Sequence, residues 1–318
     1  MMKKYFRNFL ILSALTTIII YIINKIINIT SVIKNLLKTD NGRYYEWRYG
    51  NVFYTKQGKG TPVIFIHDLN PASSSCEWNK ILKQVAKSHT VYAIDLLGCG
   101  RSDKPNLTYT NFMYVQLITD FIKKIIGEKA DIISTGNSGS FTIMACNMAT
   151  ECFNKIILTN PPDLTSLSAI PSKKTNLLKY LIDLPMIGTL IYNIVYSNKN
   201  INRLFDQNYY YKYHMIPTKI TEMYYESAHL NNSKGKYLLS SIKSNYTNIS
   251  IIHTLKKIDN SIYIICSKEN NISKSIIDSY TFYNSSIETI LIENSKYLPQ
   301  LEMPEKFIEN LNLFLDSK

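Results

Sequence analysis

The chain has 318 residues, 45% of them hydrophobic and 19% charged, with a formal net charge of +12 and a pI of about 9.2. That size holds one large core with room for an inserted lobe, and that composition excludes a disordered chain. The 36 Lys and Arg residues are spread rather than clustered, which suits an anionic membrane surface and gives no stripe or module for a nucleic acid. Cys76, Cys99, Cys146, Cys152 and Cys266 are odd in number and lack metal or CxxC spacing. They read as buried thiols, and neither a metal nor a cofactor is expected.

Residues 1–30 read as an N-terminal transmembrane anchor. Lys3, Lys4 and Arg7 precede an uncharged run from Asn8 to Asn24, which Ile26, Ile27 and Ile29 extend toward spanning length. No small-x-small cleavage site follows, so a retained single-pass anchor is expected, with an uncleaved signal or a surface-lying helix as the alternatives. Basic residues flank both ends, so the side faced by the remainder stays open. Residues 31–43 read as a linker.

From Tyr44 to Thr55 two short strands flank Gly50-Asn51, a hairpin signal. Residues 62–67 are an apolar strand of the kind buried in a parallel sheet. A loop from Asp68 to Trp78 runs into a helix ending near Ser88. Residues 90–95 are the next strand and 98–105 a tight turn. Phe112–Ile126 is helical by period, 130–134 a strand, Ser140–Glu151 a helix and 155–159 a strand. The alternation stops at Asn160-Pro-Pro162. Residues 164–257 are helical, rich in Tyr and without a clear strand. Strand 261–266, helix 272–282, strand 287–292 and helix 304–315 follow.

Strand-helix alternation means a mostly parallel, doubly wound α/β sheet of about eight strands. The division is 44–163 for the first part of the core, 164–257 for a helical cap and 258–318 for the second part. The rest is arranged around Gly136-Asn-Ser-Gly-Ser140, where an apolar strand turns sharply into a helix. Small residues suit so crowded a turn. Ser138 is placed at its apex, beside the free N–H groups of a helix N-terminus.

These features are similar to the α/β-hydrolase fold family, in its cap-bearing form, over about residues 44–316. Four segments carry the resemblance in order: the loop at His67, Asp95-x-x-Gly98-x-Gly100-x-Ser102-x-x-Pro105, the turn at Ser138, and Leu298-Pro-Gln-Leu-Glu-Met-Pro304. The resemblance implies a Ser nucleophile at Ser138 and oxyanion donors at the Gly139 and Leu69 N–H groups. It also implies a His after the last strand and an acid after the penultimate one. Here the His position holds Tyr297 and the acid position Asn270, and Asp68 stands where a Gly is usual. Glu269 and Asp163 are the alternative acids, and His214 and His229 in the cap are candidate substitute bases. His67 is expected to pin the oxyanion loop, and His89 and His253 to be structural. A dehalogenase is disfavoured, because its nucleophile is an Asp and Gly139 stands where a Trp would follow.

The tyrosines from Tyr209 to Tyr213 read as a packing face, an apolar slot or a membrane-interface contact. Two readings stay open. One is a membrane-anchored serine hydrolase cleaving an apolar ester or other acyl compound. The other is a catalytically inactive homologue that binds a ligand or a protein.

Overall fold

A computed structural model describes residues 2–316. Met1, at the head of the expected anchor, and residues 317–318, at the end of the expected second core part, lie outside the described residues.

Eight strands form one sheet: β1 (Gly42–Trp47), β2 (Gly50–Gln57), β3 (Pro62–Ile66), β4 (Thr90–Ile94), β5 (Ala130–Thr135), β6 (Phe153–Thr159), β7 (Ile262–Ser267) and β8 (Glu288–Ile292). Their order is β1-β2-β4-β3-β5-β6-β7-β8. The pairs β1/β2 and β2/β4 are antiparallel and all others parallel. β3, β5 and β7 are buried along their whole length, which is why, apart from Asp131 near the start of β5, they are runs of apolar or small residues without polar alternation.

The helices are α1 (Met2–Thr30), α2 (Leu82–Val85), α3 (Asn111–Phe121), α4 (Ser138–Met148), α5 (Lys173–Asp183), α6 (Ile187–Val195), α7 (Asn198–Leu204), α8 (Thr218–Ser233), α9 (Lys236–Lys243), α10 (Ile252–Leu255), α11 (Ser273–Tyr283), α12 (Pro299–Glu302) and α13 (Pro304–Asp316). Side chains alternate across the sheet with period two. Ile64, Ile66, Ile132 and Ile264 pack under Tyr114, Phe121 and Phe141 of α3 and α4. Val63, Phe65, Ile133 and Ile265 pack against Trp78 and against Phe307 and Phe314 of α13. A third apolar cluster, with Tyr192, Phe205, Tyr209 and Tyr224, lies in the helices between β6 and β7 and takes in Leu37 and Leu298.

Three local expectations shift. Trp47 pairs with Gly50, so the hairpin turns at Arg48-Tyr49, and Gly50-Asn51 opens β2. Of the helix expected between the Asp68–Trp78 loop and Ser88 only the short α2 forms, and the end of the loop winds into a 3₁₀ turn, Ser75–Trp78, whose Ser75 N–H donates to Asp95 Oδ1 at 2.8 Å. Helix 112–126 is α3 followed by a wider π turn, Ile122–Ile126, closed by Gly127 at φ +81°.

Residues between α1 and β1 are held to the cap. The Leu36 and Leu37 N–H groups donate to Glu226 at 2.7 and 3.0 Å. α1 is long and apolar enough to cross a membrane. It leans on α6 and α8 through side-chain amides. Asn24 Nδ2 donates to Met186 O at 2.9 Å, and Asn193 Nδ2 donates to Asn24 Oδ1 at 2.9 Å.

Candidate active site

The chain leaves central β3 for β4 on one side and returns to β5 on the other. The C-terminal ends of β3 and β5 therefore flank the switch point where open α/β sheets place their sites. The register Ile66↔Ser134 brings the residues just past β3, His67 and Asp68, level with the turn after β5.

The apex of that turn is Gly136, not Ser138. Gly136 has φ +56°, the left-handed conformation, and Asn137 beyond it is already helical at φ −60° and ψ −21°. A left-handed residue is what reverses the chain between β5 and α4, and a residue with a Cβ pays about 1–2 kcal/mol to adopt it. Ser138 lies one step further, inside the first turn of α4, fully buried. Its Oγ donates to the backbone carbonyl of His67 at 2.6 Å. The sequence permits both placements. Gly136 and Ser140 flank Ser138 with small residues, and Ser134 and Ser138 flank Gly136 in the same way.

The space an apex side chain would occupy is filled by the chain itself. A Cβ on Gly136 would stand 2.1 Å from Tyr297 Oη and 2.5 Å from Asp68 Oδ1, closer than any real contact. Asp68 points inward. Its Oδ1 accepts the Asn137 N–H at 2.9 Å, and its Oδ2 accepts the Tyr297 hydroxyl at 3.2 Å. The N–H group that follows the apex is thus taken by the chain's own carboxylate. Leu69, the expected donor from the other loop, is the buried residue next to Asp68, and its backbone counters the rise that burial imposes on the Asp68 pKa. Gly139, the other expected donor, is not free, because its N–H closes the turn onto Gly136 O at 3.0 Å.

Around this pair lies a buried acidic and phenolic cluster. Asp68 N–H donates to Glu77 Oε2 at 3.1 Å, and Tyr224 Oη donates to Glu77 Oε1 at 2.7 Å. Tyr209 stacks on Tyr297 with centroids 5.1 Å apart. Burial raises the Asp68 carboxyl to about 6, against the pull of its hydrogen bonds. Burial, and after it the neighbouring Asp68 charge, raises Glu77 to about 8. Burial and the same charge push the Tyr297 phenol well above its usual range, so it remains a proton donor to Asp68 and not a base.

No imidazole serves Ser138. The His67 Nε2 accepts the Leu96 N–H at 2.9 Å, so its proton is on Nδ1, which donates to Asp68 O at 2.7 Å. Both ring nitrogens are used, and burial lowers the ring to about 4, so it pins the loop as a neutral tautomer. His229 is buried among Tyr192 and Tyr225, with Nδ1 on Tyr225 O at 2.7 Å. His214 and His253 are exposed, and His89 bonds Ser88 Oγ at 2.9 Å.

The acid candidates are not brought to Tyr297 either. Asn270 shapes the turn that opens α11. Glu269 Oε1 accepts the Asn294 N–H at 3.3 Å, tying together the turns after β7 and β8. Asp163 caps a surface turn through Thr165 and the Ser166 N–H. The expected His and acid positions are therefore structural in this chain, and Ser138 has neither base nor open space.

Sequence reading missed Asn160. It sits at φ +43°, donates to Tyr297 O at 2.8 Å and to Ser267 Oγ at 3.0 Å, and accepts the Ser267 N–H at 3.0 Å. It fixes the loop that presents Tyr297. The signal was its place before Pro161-Pro162, where an Asn tolerates the left-handed region. Glu77 and Tyr224 carried no such signal.

Against known proteins, residues 63–310 match the model of the alpha/beta hydrolase family. A 2-hydroxy-6-oxo-6-(2'-aminophenyl)hexa-2,4-dienoic acid hydrolase from Metapseudomonas resinovorans is 31% identical over 107 residues, 33% of this chain. The match spans 37% of that relative's length. A proline iminopeptidase from Heyndrickxia coagulans is 23% identical over 273 residues, covering 83% of this chain and 93% of that one. Among solved structures, a membrane phospholipase A described as a bacterial virulence factor superposes at TM-score 0.68 and 15% identity, over 99% of this chain and 98% of that one. A serine hydrolase of carbazole degradation superposes at TM-score 0.69 and 17% identity, over 86% and 98%. At these identities the structural likeness is one of fold. With the family model running from β3 to α13 and over the turn at Gly136, this chain belongs to the alpha/beta hydrolase family.

Proposed function

We propose that this chain is a non-catalytic member of its family, held at a membrane by α1, in which the hydrolase fold serves as a binding module. The observation that carries the reading is at Gly136. The apex has no side chain, and the phenol of Tyr297 and the carboxylate of Asp68 take the volume a nucleophile would need. A carboxylate already bound to the Asn137 N–H also excludes, by charge and by occupancy, the anion that such a donor stabilises during acyl transfer. The named relatives are hydrolases, but each step of that chemistry needs a free nucleophile, a base and an open cradle, and this centre lacks all three.

A ligand would bind away from the closed centre. A cleft of about 280 Å³ lined by Tyr210, Met215, Leu301 and Met303, and by the charged side chains of Lys80, Lys212 and Glu302, has the polarity for a small, largely apolar molecule with a polar end. The attachment to a membrane is supported by the length and apolarity of α1. It is also supported by the likeness to the membrane phospholipase A over nearly the whole of both chains.

The test is labelling of the full chain by a fluorophosphonate probe from about pH 6 to about pH 10, a range that spans imidazole and phenol ionisation. No labelling is expected at any pH. Labelling that disappears in Ser138→Ala would restore the other reading, a serine hydrolase of apolar acyl compounds.

A further inference from the structure

The cap carries an apolar face turned outward. On α5, Leu177, Tyr180 and Leu181 recur at helical spacing and are 61%, 64% and 42% exposed, while Ile182 alone on that helix is buried. In a water-facing protein such a stripe turns to the core. After a sharp bend of 99°, α6 continues the face with exposed Ile187, Ile194 and Val195. Residues 184–197 carry no charge. Contiguous apolar surface of this extent marks a site of interaction.

Its partner follows from what it adjoins. The elbow between α5 and α6 leans on α1. Pro185, Met186 and Ile187 form a groove with Phe9, Leu12, Thr16 and Ile20 of the apolar run. The Asn24 side chain holds Met186 O at 2.9 Å, which fixes the elbow at the level of the end of that run. The side-chain amides at this level are bonded within the protein. Asn193 donates to Asn24, and the Ser233 hydroxyl donates to Asn193 Oδ1 at 2.8 Å. The charges at the bend are engaged within the protein: Lys179 Nζ meets Asp183 Oδ2 at 2.5 Å, and Lys236 Nζ donates to Leu184 O at 2.8 Å. Lys173 and Lys174, exposed at the far end of α5, suit an anionic headgroup layer.

We propose that the α5–α6 elbow is a second membrane-inserting element, a wedge that enters the same leaflet as the C-terminal end of α1, so that the cap and not the sheet faces the bilayer. The inference rests on α1 being a membrane anchor, as proposed above. If the apolar run of α1 lies in hydrocarbon, an elbow bonded to Asn24 and packed alongside Ile20 lies at the hydrocarbon boundary with it. Its outward Leu, Ile and Tyr side chains then meet lipid instead of water.

The test reconstitutes the full chain in vesicles of phosphatidylcholine and phosphatidylglycerol, with a fluorophore on Leu15→Cys, Leu181→Cys, Ile187→Cys or Phe282→Cys. All four positions are exposed, Phe282 on α11 being 80% so. The unsubstituted chain, whose five cysteines are buried, gives the background. Nitroxide-bearing lipid is expected to quench positions 15, 181 and 187 and to leave 282 to aqueous iodide. Quenching at 15 with iodide access at 181 and 187 overturns the wedge and leaves the anchor standing. No lipid quenching at 15 overturns the anchor and the wedge together. Protection of 181 and 187 from both quenchers means that a protein surface, such as a second copy of this chain, covers the face, and also overturns the proposal.

Discussion

Ser138 and Asp68 have exchanged the parts that residue type alone would give them. The serine hydroxyl ties the start of α4 to the end of β3 through His67 O. The carboxylate holds the Asn137 N–H. Ser138→Ala is therefore expected to behave as a core substitution, lowering unfolding stability in urea by about 1–2 kcal/mol through the loss of a buried hydrogen bond. A second expectation concerns pH. Glu77 has its folded-state pKa raised to about 8 from its ordinary value of 4.5, so between these values the folded protein holds more protons than the unfolded one. Stability then falls as pH rises. Asp68, raised to about 6, acts in the same sense below pH 6, where His67, lowered to about 4, acts in the opposite one. Lys104, lowered to about 8, opposes it at higher pH. The window from the ordinary His value of 6.5 up to about 8 is left to Glu77, with Glu302, raised to about 7, adding to its lower part. Stability measured in urea is expected to drop by roughly 1–2 kcal/mol across that window, and Glu77→Gln to flatten most of the drop. At this scale the sequence was only half legible. Tyr297, Asn270 and Asp68 were readable as departures, because each is the wrong chemistry at a position fixed by spacing. Which of two small-residue frames forms the apex was not readable. Gly136 and Ser138 fit the spacing equally, and only the steric competition of Tyr297 and Asp68 for one volume decides it.

Among elements, the strands were the most legible part of the chain. β3, β5 and β7, Asp131 aside, are continuous apolar or small runs because both faces of the sheet are covered, and that pattern has few other readings. The hairpin turn and the 3₁₀ turn inside the loop after Asp68 were missed for a common reason. Long-range hydrogen bonds override local signals: Asn51 N–H goes to Asp103 Oδ2 at 2.7 Å, and Ser75 N–H to Asp95. Asp95 shows how firmly that frame is held. Burial alone would push its carboxyl up, yet the charge and hydrogen bonds of Arg101 outweigh it and hold it far below the carboxylate range. The docking of α1 on the cap depends on fewer groups. Asn24→Ala removes the bonds to Met186 and Asn193 and is expected to cost about 1–2 kcal/mol locally. Faster hydrogen exchange of the α6 amides, with the sheet amides unchanged, would register that loss, whereas equal acceleration in both would mean that α1 and the cap unfold with the core.

For the whole molecule, the family's architecture is kept in the sheet order, the passage of the chain across β3 and β5, and the helices between β6 and β7. At the switch point an inward carboxylate, a phenol and a glycine pack against one another, and the proposed non-catalytic reading rests on that packing. The most direct measurement of that claim is a double-mutant cycle between Gly136→Ala and Tyr297→Phe, read by urea unfolding of the full chain. Alone, Gly136→Ala is expected to cost about 3 kcal/mol or more, from the left-handed backbone and the collision with Tyr297 Oη and Asp68. With the phenol oxygen removed, that cost is expected to fall by at least about 1 kcal/mol. Additivity within about 0.5 kcal/mol would mean that the phenol does not occupy the apex volume, and would contradict the account.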